Sequence, residues 1–135
     1  MENLTFEAEA AVRALPARMY VALDSHDVTG YAGLFTEDGR LDTPFGKPNS
    51  RAEIFEWTDG YISEGNEDGV RHFITNIIVD PHPDGARLRC YIQKWKVDVG
   101  PTALGTGSLD IIAVREGSEW RIKSNTISID PPYLA

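Results

Sequence analysis

Apolar residues recur at three- and four-residue steps near the start of the chain, at Ala8, Ala11, Val12, Leu15, Met19, Ala22 and Leu23. This spacing predicts a helix with one buried face. Thr5 is placed to cap it. Pro16 falls inside the pattern, and its missing N–H predicts a kink rather than a division into two segments. Asp27 reads as the cap of a short second helix carrying Val28, Tyr31, Ala32, Leu34 and Phe35, ended by the turn residues Glu37, Asp38 and Gly39. Leu41, Thr43 and Phe45 then alternate as a short strand closed by Pro44, Gly46 and Pro48. Ser50 stands three residues before Glu53, the spacing of a capping box. The helix that follows offers Ile54, Phe55, Trp57, Tyr61 and Ile62 before Gly65.

From Gly69 the period changes to two, with many β-branched and aromatic residues, and predicts strands over 70–80, 86–99, 108–115 and 119–129. The turn-rich segments 81–85, 100–107 and 116–118 connect them as hairpins. Helices first and an antiparallel meander afterwards imply an α+β fold, with the sheet wrapped against the helices. In the first long strand, alternation places His72, Ile74, Asn76 and Ile78 on one face and Phe73, Thr75, Ile77 and Val79 on the other. The apolar residues of the second face predict a surface buried against another copy of the chain, in a homodimer.

Composition narrows the function. The chain has 135 residues, 13 Lys and Arg against 21 Asp and Glu, and a net charge of −8. With 41% hydrophobic and 25% charged residues, it reads as one soluble domain spanning residues 1–135. The acidic balance argues against nucleic acid and against an anionic membrane surface, which both need clustered cations. Cys90 is the sole cysteine, so no intrachain disulfide forms. The start lacks the pattern of a signal peptide and no run is apolar enough to span a membrane, so the expected location is cytoplasmic. Phosphate-loop, dinucleotide, nucleophile-elbow and zinc-protease motifs are all missing.

The remaining chemistry lies with histidine. Cys90 sits mid-strand as a small buried hydrophobe. His26 reads as a solvated helix-end residue, and His82 belongs to an exposed turn with two prolines rather than to a metal site. His72 lies on an apolar strand face, where a hydrogen-bonded core histidine is the plainer reading. Asp24, near the end of the first helix and sharing a helix face with Tyr20, can meet it if sheet and helix pack together. A carboxylate that orients an imidazole makes a general base near neutral pH.

The runs Tyr20–Asp27, Leu34–Gly39, Thr43–Gly46, Arg71–Asn76 and Glu119–Ile122 together resemble the SnoaL-like members of the nuclear transport factor 2-like superfamily. The resemblance covers nearly the whole chain. It implies a cone-shaped α+β barrel, with N-terminal helices packed on a strongly curved antiparallel sheet that encloses one pocket. It also implies a dimer through the sheet's outer side. In scytalone dehydratase, bile acid dehydratases and hexachlorocyclohexane dehydrochlorinase an aspartate on the first helix and a histidine early in a strand abstract a proton, and by motif these fall on Asp24 and His72. Three departures stand beside the match. Thr43 occupies the position of the ketosteroid isomerase base. Met19 stands where that enzyme has its oxyanion-binding tyrosine, and near the place of the dehydrochlorinase's first-helix lysine. No histidine follows His82, although scytalone dehydratase uses one on a later strand.

Some other group must therefore polarise the substrate. Candidates for this role or for the pocket wall are Tyr20, Asn76, Tyr91, Trp95, Asp110 and Asn125; burial would raise the Asp110 pKa and make it an acid. The expected activity is a cofactor-independent, metal-free abstraction of a proton from an apolar ring-containing substrate, with dehydratase-type elimination favoured over cyclisation or isomerisation. A non-catalytic ligand-binding or protein-docking module is the competing class.

Overall fold

A computed structural model describes residues 2–132. Thr5 accepts the Ala8 N–H at 3.0 Å and starts α1 (Phe6–Arg13). Ala14 alone separates it from α2 (Leu15–Asp24), so the pattern read as one kinked helix is two segments. Ala14 keeps helical angles, φ −77° and ψ −17°. The break arises because Pro16 has no N–H to donate to the preceding turn. Asp27 caps α3 (Val28–Ala32) by accepting the Gly30 N–H at 2.9 Å.

The next element differs from expectation. Leu34 and Phe35 do not extend α3. Phe35 opens β1 (Phe35–Asp42), a strand lying earlier than the alternation of Leu41, Thr43 and Phe45 suggested. Thr43 instead closes a tight turn: its hydroxyl donates to the Gly46 carbonyl at 2.8 Å and accepts the N–H groups of Phe45 and Gly46. The capping box at Ser50 forms in modified shape. Ser50 Oγ accepts the Glu53 N–H at 3.1 Å and starts α4 (Arg51–Ser63), while Glu53 reaches back to the N–H of Asn49.

Four long strands complete the chain: β2 (Val70–His82), β3 (Gly85–Lys96), β4 (Thr102–Glu116) and β5 (Glu119–Ile129). They form an antiparallel meander. β1 joins its far edge parallel to β5, giving the order β1-β5-β4-β3-β2. The five-stranded sheet is therefore mixed rather than wholly antiparallel, and its edges do not close on each other. β4 begins six residues before its expected start because 102–107, read as a connection, pairs with β3, and Gly107 pairs with β5 as well. Gly107 permits this: a Cβ there would lie 2.2 Å from the Ser128 carbonyl oxygen.

Every ladder contains a register shift, and such bulges bend and twist the sheet. The helices pack on its inner side, where Val12, Leu15, Met19, Phe35, Leu88, Ile111 and Ile122 form a buried core. The bulge in β2 falls at Asn76, whose φ is +56°, between the paired residues Thr75 and Ile78. One residue inserted into a strand exchanges its faces beyond that point. His72 and Ile74 face inward, as do Ile77 and Val79, which pack on the core, whereas Ile78 is exposed. The outer patch expected from Phe73, Ile77 and Val79 thus consists of Phe73, Ile78 and Tyr91. Among the described residues no helix is long and apolar enough to cross a membrane.

Candidate active site

A cavity of about 480 Å³ opens between the inner face of the sheet and the helices. Leu23, Leu41, Ile92, Leu104 and Ile127 supply much of its apolar wall, and Tyr31, Phe45, Trp57 and Tyr61 line it with aromatic rings. Trp57 and Tyr61 stack at 5.8 Å between centroids with an interplanar angle of 12°. A cavity of this lining suits a mostly apolar ligand.

Asp24 and His72 meet at its wall. Asp24 Oδ1 lies 2.6 Å from His72 Nδ1, and Asp24 Oδ2 accepts the His72 backbone N–H at 2.8 Å. The pair forms because α2 ends at Asp24 against the first residues of β2. Both side chains are largely withdrawn from solvent, 16% and 8% exposed. His72 lines the cavity, and its Nε2 makes no hydrogen bond among the described residues. With Nδ1 turned to the carboxylate, that second nitrogen is free to take a proton from a bound molecule. Tyr20 packs beside it, ring centroids 4.8 Å apart, and its burial raises the phenol's pKa well above the usual value.

The structure separates the other residues named from sequence. Asn125 is buried behind the wall, its amide near the Tyr20 hydroxyl and 3.6 Å from Met19 Sδ. Asn76 sits exposed in the bulge. Tyr91 and Trp95 occupy the outward row of β3, where Trp95 packs edge-on against Phe73. Asp110 also points outward. Arg87 grips it through two hydrogen bonds of 3.0 and 2.7 Å and lowers its pKa, the reverse of the raised value expected from burial. The inward row of β4 is Leu109, Ile111 and Ala113, so Asp110 on alternation falls on the opposite face.

Three polar residues at the cavity escaped the sequence reading. Glu67 is 1% exposed, and neither carboxyl oxygen has a hydrogen-bond partner among the described residues. Burial, with the nearby Asp24 charge, raises its pKa to about 8 against the pull of Lys94. It lies in the irregular segment between α4 and β2, which offers no periodicity to read. Lys94 and Tyr61 line the cavity together, with Lys94 Nζ donating to the Tyr61 hydroxyl at 2.8 Å. Lys94 had a signal: it continues the inward row Leu88, Cys90, Ile92.

Ligand atoms of Asp24, Glu67 and His72 lie within 4.8 Å of one another, a spacing that could hold a metal ion. Both Asp24 oxygens are already engaged by His72, whereas the Glu67 oxygens have no hydrogen-bond partner among the described residues.

Comparisons with known proteins agree with this architecture. The SnoaL-like domain family matches residues 5–126. No curated protein matches the chain. Among solved structures, a protein of unknown function with a cystatin-like fold from Nostoc punctiforme superposes with a TM-score of 0.87, at 21% identity over 98% of both chains. A nuclear transport factor 2-like protein with a cystatin-like fold from Novosphingobium aromaticivorans gives 0.84, at 24% identity over 93% of this chain and 84% of that one. ActVI-ORFA from Streptomyces coelicolor gives 0.79, at 23% identity over 90% and 97%. At these identities the likeness shows the fold, the cone-shaped α+β arrangement of the nuclear transport factor 2-like superfamily.

Proposed function

The chain belongs to the SnoaL-like domain family, and on that premise we propose that it is a cofactor-independent enzyme whose His72, oriented by Asp24, removes a proton from carbon beside a carbonyl. The substrate is a flat, ring-containing, mostly apolar molecule, and the favoured outcome is departure of a β-hydroxyl as water, which takes the proton from the imidazolium and leaves the conjugated ketone. The observation that carries this reading is the 2.6 Å contact between Asp24 and His72 Nδ1 at the wall of an apolar cavity. The carboxylate selects one tautomer and compensates the positive charge that develops on the ring. The apolar wall keeps bulk water from the base, which strengthens these electrostatic effects.

The test has two stages. A panel of aromatic-fused cyclic ketones and β-hydroxyketones is screened for compounds that raise the melting temperature. Those that bind are then assayed for exchange of the α-proton with D2O and for loss of water. His72→Ala is expected to remain folded and to lose about two to four orders of magnitude in turnover, and Asp24→Asn somewhat less. Tyr20→Phe separates wall from donor: a fall in kcat at constant KM marks a group acting in the transition state. Ligand binding without exchange or elimination in the wild type would replace the enzyme with a binding module.

A further inference from the structure

In the β2–β3 ladder His72 stands directly opposite Lys94. Both side chains line the cavity. Cross-strand neighbours on one face have Cβ atoms about 4.5–5.5 Å apart, so a molecule touching His72 is within reach of the Lys94 ammonium. Lys94 is the one cationic side chain other than histidine among the described residues of the cavity wall. Its Nζ donates to the Tyr61 hydroxyl at 2.8 Å and lies 5.4 Å from the centre of that ring. No carboxylate of the described residues comes within 4.0 Å of it, Glu67 included. An ammonium has three donors, and Tyr61 occupies one. The two donors that remain can be met by the oxygen of a ligand anion.

We propose that Lys94, held by Tyr61, receives the negatively charged oxygen of the bound molecule, so that the cavity takes flat apolar compounds bearing one enolate, phenolate or carboxylate oxygen. The stacked Trp57–Tyr61 pair supplies a platform for the ring beside that oxygen. The catalytic part of this assignment rests on the function proposed above. The C–H electron pair forms the new C=C bond as the proton passes to His72 Nε2. The carbonyl π pair moves to oxygen, and Lys94 stabilises the resulting enolate. Return of a proton from the imidazolium to carbon restores the ketone.

Two readouts separate this assignment from the general-base reading. The first is binding of 2-naphthoate and of its neutral methyl ester, measured by calorimetry. The wild type is expected to prefer the carboxylate by about tenfold or more, and Lys94→Met to lose that preference. Lys94→Gln serves the same purpose if the methionine variant does not fold, and Lys94→Arg should retain the preference. Absence of binding or of preference in the wild type, or a preference unchanged in the neutral variants, overturns the assignment. The second readout is α-proton exchange of 2-tetralone in D2O. In Lys94→Met, kcat should fall about a hundredfold with a smaller change in KM. Exchange lost in His72→Ala but unchanged in Lys94→Met overturns the enolate role and leaves the base intact. A wild type inert toward the ketone counts against the base, while the naphthoate comparison still decides Lys94.

Discussion

Glu67 is the residue whose surroundings fit it least as a charged group. Burial favours its neutral form and raises its pKa to about 8. Asp24 faces it from α2 and Lys94 from β3, and its charge is felt by Tyr20 and Tyr31. Because the folded pKa exceeds the ordinary value of 4.5, the folded chain keeps a proton that the unfolded chain releases. The stabilisation is full below pH 4.5 and is lost as pH rises toward 8, at no more than about 1.4 kcal/mol per pH unit. Glu67→Gln cannot titrate. Its stability relative to wild type, from urea melts at a series of pH values, should therefore rise between pH 5 and pH 8 and level off beyond. A difference independent of pH would show that Glu67 is ionised in the folded protein. Cys90, by contrast, is held as a thiol, since burial pushes its pKa up to about 11.

At the scale of elements, the bulge in β2 decides which residues of the strand's second half turn toward the core. Asn76 adopts φ +56°, a left-handed conformation that asparagine and glycine tolerate and β-branched residues resist. The end of α1 reaches the same place, where Arg13 Nη1 donates to the Ile77 carbonyl at 3.1 Å. Asn76→Gly is expected to change stability little, whereas Asn76→Val should cost about 1–2 kcal/mol, read from the shift in urea midpoint. The asparagine side chain is exposed, so turnover per folded molecule should survive both changes. An Asn76→Val protein as stable as Asn76→Gly would mean that the strand can discard its bulge.

For the whole molecule, the outer side of the sheet presents Phe73, Ile78 and Tyr91, 46%, 52% and 60% exposed. Trp95 lies against Phe73. The ion pairs Arg87–Asp110 and Arg89–Asp80 lie on β2, β3 and β4 of the same sheet. Apolar residues rimmed by charge on one sheet face are expected to be covered by a second copy of the chain. Light scattering should give a mass about twice the 15.0 kDa of one chain. Phe73→Glu with Tyr91→Glu should return it to one chain. A single-chain mass for the wild type at micromolar concentration would refute the dimer. The tail 131–135 is the alternative cover for this face, and its residues 133–135 lie outside those described.

The sequence by itself determined what short-range interactions govern. The caps at Thr5, Asp27 and Ser50 act within three residues. The four long strands announce themselves by their period, and Asp24 and His72 are legible as a helix end and a strand start that packing could join. Tertiary structure decided what depends on register and on distant chain. One inserted residue at Asn76 turned Ile77 and Val79 inward and Ile78 outward, because a side-chain period of two reverses with a single step. Parallel pairing of β1 with β5 joins segments about 85 residues apart, and nothing local in either strand specifies its partner. The polar side of the cavity, Lys94 with Tyr61 and the buried Glu67, exists only where a strand face, a helix and an irregular segment converge. Proximity across separate elements is a property of the folded chain and leaves no spacing in the sequence.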